Sequence, residues 1–106
     1  MTKLKAFIYC RVLDCKRKDV LYYQQEVLTK KAIEDGNVIC SRMLVTGKAF
    51  NFNFYEMRML LNHIRGERVD VIYIYDKTRI TPDKELYMEL EMLCDLHNVK
   101  IVCLKK

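Results

Sequence analysis

Apolar residues fall along this chain in two rhythms that take turns. Short continuous runs rich in strand formers alternate with longer stretches whose apolar residues recur at helical spacing. Lys5 to Val12 (KAFIYCRV) is the first run and predicts a buried strand. The polar, basic stretch Asp14-Cys15-Lys16-Arg17-Lys18 reads as a loop. From about Asp19 to Asp35 the pattern is helical, with Leu21, Leu28 and Ala32 at spacings of seven and four, and Gly36-Asn37 as a stop signal. Asn37 to Cys40 begins a second short strand.

Ser41 to Asn53 shows no clear period and contains Gly47, so it reads as a long loop of the kind that often carries function. A helix then opens on Asn53 as N-cap with Glu56 three residues on, the pattern of a capping box. Met57, Leu60, Leu61 and Ile64 give it one apolar face, and Arg65-Gly66 closes it. Val69 to Tyr75 (VDVIYIY) is nearly continuous in apolar character and predicts a central strand covered on both faces. After the polar loop Asp76 to Ile80, Thr81-Pro82 opens a third helix with threonine as N-cap and proline at the first position. Leu86, Leu90, Leu93 and His97 share a face of it, and Lys100 to Leu104 is the last strand.

Strand, helix, strand, helix, strand, helix, strand is the order of an α/β domain. It predicts three layers, a mainly parallel four-stranded sheet with right-handed crossovers and helices on both faces. Ligands in such sheets gather at the carboxyl ends of the strands. The loops expected there carry Arg11, Lys16, Arg17, Lys18, Arg42, Lys48, Lys77 and Arg79. A basic rim of this kind suits a phosphate-bearing partner such as DNA, and ordinary solvated loop charge is the plainer explanation of the same residues.

The 106 residues suffice for one domain, 1–106, and the 51% apolar content supplies a core. The net charge of +5 permits an anionic partner without requiring one. No apolar run approaches the roughly 20 residues of a membrane span, and nothing at the N-terminus looks like a leader, so a cytoplasmic protein with no membrane partner is expected. Five scattered cysteines (Cys10, Cys15, Cys40, Cys94, Cys103) form no C-x-x-C pair, which argues against a disulfide framework or a zinc site. Cys10, Cys40 and Cys103 lie in or beside strand runs and read as small buried hydrophobes. His97 has no second ligand at metal spacing and reads as a helix-terminal residue; no metal and no cofactor are expected.

The arrangement resembles the N-terminal catalytic domain of the serine recombinases, the resolvases and invertases, from about Leu4 to Leu104. The family's first strand ends in tyrosine, one residue, arginine, valine, serine; here Tyr9-Cys10-Arg11-Val12 matches up to the serine. Its next helix carries leucine and glutamine three apart with a leucine four further on, as Leu21, Gln24 and Leu28 do. Val45-Thr46-Gly47 stands where the family has serine-glycine, and Tyr75 to Pro82 where it has an arginine-rich loop. The resemblance implies DNA strand cleavage and exchange through a phosphoserine, with arginines stabilising the charge that builds on the phosphate.

The departures fall on that chemistry. Leu13 occupies the position of the nucleophilic serine, and Ser41 is the only serine in the chain. Arg11 and Arg79 match family arginines, but Pro82 stands where the loop's second arginine belongs and Thr78 where aspartate or serine does. The acidic residue expected ahead of serine-glycine and the arginine after it have no counterpart in Ser41 to Leu44 or Phe50 to Asn53. After the last strand only Lys105 and Lys106 remain, so neither the family's long dimerisation helix nor its C-terminal DNA-binding domain is expected.

Two classes of function stay open at this level. The first is a non-catalytic domain that binds nucleic acid through the basic rim (Arg11, Lys16, Arg17, Lys18, Lys48, Lys77, Arg79), or binds an active recombinase or another protein. The second is an enzyme of DNA cleavage or other phosphoryl chemistry with Cys10, Cys15 or Thr78 as substitute nucleophile. The aromatic series Phe50, Phe52, Phe54 and Tyr55 reads as mostly buried, with an exposed docking patch as its alternative.

Overall fold

The computed structural model describes residues 3–12, 17–46, 55–66, 68–75 and 84–105. Seven elements follow in order: β1 (Lys5–Val12), α1 (Lys18–Glu34), β2 (Val38–Thr46), α2 (Tyr55–Arg65), β3 (Val71–Ile74), α3 (Lys84–Leu96) and β4 (Lys100–Cys103). They form an α/β domain on one all-parallel sheet of order β2-β1-β3-β4.

β1 is the spine of the molecule because neighbours cover it on both edges and both faces. From Ala6 to Val12 every residue is buried. Side chains alternate along the strand. Ala6, Ile8, Cys10 and Val12 pack with Leu21, Leu28 and Ala32 of α1, while Phe7 and Tyr9 pack with Leu60, Leu61 and Ile64 of α2 and Tyr87, Leu90 and Cys94 of α3. The helices therefore divide one to two across the sheet. β3, buried at all four positions, is the other interior strand.

β2 runs on through Ser41 to Thr46, a stretch expected to be loop. Its long partner explains the difference: β1 offers a ladder up to Val12, and β2 matches it to Val12↔Thr46. The register steps between Ala6 and Phe7, which face Ile39 and Ser41, so Cys40 is the extra residue of a β-bulge. The bulge corrects the reading of Cys40 as a buried hydrophobe; it is exposed, and its thiol donates to the Ala6 carbonyl at 3.2 Å. Cys10 and Cys94 are buried and Cys103 is half-buried.

Helix ends follow local chemistry. α1 closes through Gly36 at φ 79°, where Gly36 N–H reaches Ile33 and Asn37 N–H reaches Ala32, the pattern expected of a glycine past the last turn. Asn98 (φ 59°) closes α3 in the same conformation, with Val99 N–H bonded to the Cys94 carbonyl at 2.8 Å. The buried face of α3 is Tyr87, Leu90 and Cys94, with Leu86 and Leu93 half-buried at its border. The expected face was turned because it counted leucines and passed over a tyrosine and a cysteine with apolar bodies. The proposed N-cap Asn53, the opening at Thr81-Pro82, and the aromatic residues Phe50, Phe52 and Phe54 lie outside the described residues. No helix among the described residues is long and apolar enough to cross a membrane.

The amino edge of the sheet is pinned separately. Asp70 accepts from Lys5 N–H through Oδ2 (2.8 Å) while its own N–H bonds the Lys5 carbonyl (2.8 Å). Tyr73 donates to Asp35 Oδ2 (2.7 Å) and accepts from Asn37 Nδ2 (2.9 Å), tying the turn after α1 to β3.

Candidate functional site

At the carboxyl edge β1 outlasts β3. The last β1–β3 pair is Tyr9↔Ile74, yet β1 continues to Val12. In a parallel ladder alternate residues turn both peptide groups to the same neighbour. Lys5 uses its carbonyl toward Asp70 on the β3 side, so Arg11, six residues on, turns its N–H and C=O to the same side, where β3 has ended. Gln24 of α1 fills that gap. Its Oε1 accepts from Arg11 N–H at 3.3 Å and its Nε2 donates to the Arg11 carbonyl at 3.2 Å. The side-chain amide thus takes the place of one strand residue, and it is 1% exposed in doing so. An unpaired buried peptide group costs about 1–3 kcal/mol, which is why a polar residue sits on the buried stripe of α1. The Leu21, Gln24, Leu28 spacing signalled this residue without giving its task.

Arg11 is itself buried at 3% exposure. Its Nη2 donates to Tyr9 Oη at 2.6 Å, and its guanidinium carbon lies 5.8 Å from the Tyr9 ring centroid. The charge is held beneath the edge rather than displayed on it. Arg17 and Lys18 are exposed where α1 begins, the Arg17 carbonyl accepting from Val20 (3.1 Å) and Leu21 (3.2 Å). Arg42, placed in a loop by the sequence pattern, lies instead in mid-strand on β2 opposite Ile8, away from the carboxyl edge. Lys16, Lys48, Lys77 and Arg79, together with Leu13, Cys15 and Thr78, lie outside the described residues.

A cation that the sequence reading did not assign joins the edge. Lys105 N–H bonds the Tyr75 carbonyl (2.8 Å), and its ammonium sits 5.4 Å from the Tyr75 ring centroid. Nothing in its position past the last strand signals this contact.

The buried thiols are chemically quiet. Burial pushes Cys10 and Cys94 up to about 12 from an ordinary 9.0. A thiol at 0% exposure with its pKa raised by burial holds its proton near neutral pH, which weighs against Cys10 as a substitute nucleophile. Among the described residues, no group of three or more His, Cys, Asp or Glu is placed to hold a metal ion.

No protein-family model and no curated protein sequence matches the chain. Solved structures do. The C-terminal catalytic domain of ISC1926 TnpA, an IS607-like serine recombinase, superposes with TM-score 0.90 at 26% identity, over 97% of this chain and 69% of that one. The chain has the fold of a serine recombinase catalytic domain. A serine recombinase from Sulfolobus solfataricus (TM-score 0.83, 20% identity, 99% of this chain and 70% of that one) shares the recombinase fold. So does the N-terminal catalytic domain of TP901-1 integrase (TM-score 0.78, 20% identity, 94% and 76%). Within this recombinase fold, Arg11 and Val12 close β1, and the residue that follows them is Leu13.

Proposed function

We propose that this recombinase-like domain binds nucleic acid at the carboxyl edge of its sheet and does not cut it by a serine mechanism. The observation that carries the reading is Leu13, which follows Arg11-Val12 at the nucleophile position and has no group with which to attack phosphorus. Exposed Arg17 and Lys18 supply phosphate contacts and buried Arg11 adds positive potential from below, with Lys16, Lys48, Lys77 and Arg79 as the further basic residues that the sequence offers.

The test is binding of labelled duplex and single-stranded DNA at about 50 and about 200 mM salt. Affinity is expected to fall steeply between the two. Arg17→Ala combined with Lys18→Ala should lower the salt slope by about 2 on a logarithmic plot, at roughly 0.9 per phosphate contact. No binding at the lower salt overturns the reading. Leu13→Ser is expected to leave DNA uncut, because the arginine set around the phosphate is also depleted; covalent protein–DNA adducts in that variant would show that only the serine is missing.

A second reading has its own observation. Met88, Met92 and Leu96 stand one turn apart on α3 and are 61%, 70% and 76% exposed, an apolar row suited to a protein partner such as an active recombinase.

A further inference from the structure

One corner of the carboxyl edge carries more than charge. α1 is the one described helix on its face of the sheet, and its packing reaches β1, β2 and β3. Beside it, Tyr75 leaves the end of β3 on the same face as Val71 and Tyr73, and Tyr23 of α1 meets it edge-on, with centroids 6.4 Å apart and planes at 66°. Tyr75 is half-buried, whereas Tyr23 is 54% exposed. Tyr23 thus braces its edge against a partner ring and keeps about half its surface in water. Lys105 lies over Tyr75, held there by its own backbone bond to the Tyr75 carbonyl.

The charges around the rings are mixed, and Lys105 is the cation that lies over one of them. Lys18 precedes Tyr23 by five residues, about 7.5 Å along the helix axis, and Arg17 caps the helix start. Of the acidic residues near Tyr23 on α1, Glu26 is engaged by Lys30 at 3.6 Å and Asp19 sits in the first turn, where it complements the helix dipole. A braced, half-exposed aromatic pair with a lysine over one ring offers a π-face and a phosphate contact together. Bases inside a duplex are stacked on one another and present no free face, but every unpaired base has one.

We infer that Tyr23 and Tyr75, with Lys105, form a stacking platform for an unpaired base, so that the domain prefers single-stranded nucleic acid to duplex. This rests on the nucleic-acid reading above and narrows it. Tyr23 takes the base, Tyr75 fixes the ring that takes it, and Lys105 meets the adjoining phosphate.

The experiment is fluorescence anisotropy of the full chain with a labelled oligo(dT) of about 15 nucleotides, near the upper end of common single-strand site sizes, and with a duplex of equal length. Tyr23→Ala should weaken oligo(dT) binding on the order of 5- to 100-fold while duplex binding stays within about twofold. Tyr23→Phe, which keeps the ring, should bind as the parent does. Because Tyr23 is exposed, neither change threatens the core, and an unchanged thermal melt confirms it. Salt-sensitive binding of both probes that Tyr23→Ala leaves unaltered, or lowers equally, overturns the platform and leaves the nucleic-acid reading standing. Binding of neither probe by the parent protein overturns both.

Discussion

Gln24 shows how far one side chain reaches. It pairs both peptide groups of Arg11 where the neighbouring strand has run out, at 3.3 and 3.2 Å. Gln24→Leu keeps the volume and removes the pairing, leaving a buried donor and acceptor unsatisfied. The expected loss is about 2 kcal/mol in urea unfolding, within the usual 1–3 kcal/mol for such groups. A change under about 0.5 kcal/mol would mean that Arg11 finds other partners. His63 offers a smaller case of the same logic. Its Nδ1 lies 2.8 Å from the Met59 carbonyl, which can only accept, so Nδ1 carries the proton while the ring packs edge-on to Phe7 at 5.3 Å.

Among the elements, β2 departs most from what its residues announce. The apolar rhythm weakens after Cys40 because the bulge there shifts the alternation. Ile39 packs on the α1 side, while Met43 and Val45 pack on the α2 and α3 side. A strand with an inverted second half shows no simple period of two, so periodicity read it as loop. The bulge also leaves Cys40 accessible, although partial burial of its sulfur raises its pKa. Disulfide-exchange labelling under native conditions should therefore modify Cys40 while Cys10 and Cys94 stay protected, which peptide mapping of labelled protein would show. Native-state labelling of Cys10 at the Cys40 rate would place the β1–α1 packing in error. Elements with clean periods were legible: β1 matches its expected bounds, and α1 begins one residue before its expected start. What the sequence could not show was the contact of Tyr75 with Lys105, since residues 30 positions apart meet only after the sheet has formed.

For the molecule as a whole, burial of titratable groups sets an alkaline limit. Tyr73 and Tyr87 are pushed up to about 12 from 10.0 by burial, and Cys10 and Cys94 to about 12 from 9.0. In each the folded state holds a proton that the unfolded chain releases sooner. Their contribution is intact below the unfolded values and is lost as pH rises from about 9 to about 12. Thermal midpoints should fall across that window, and Tyr73→Phe should flatten the part above pH 10. A midpoint constant to pH 11 would contradict this burial. On the acid side Asp35 is lowered, chiefly by the Tyr73 hydroxyl, so its smaller contribution is present above 3.8 and disappears as pH drops below it.

The borrowed amide at the end of β1 has a consequence for how such a domain opens. Because Gln24 of α1 holds Arg11 where β3 has ended, that edge of the spine depends on a helix and not on a neighbouring strand. Loosening α1 would therefore loosen the carboxyl end of β1 with it, and the two elements are expected to open as one.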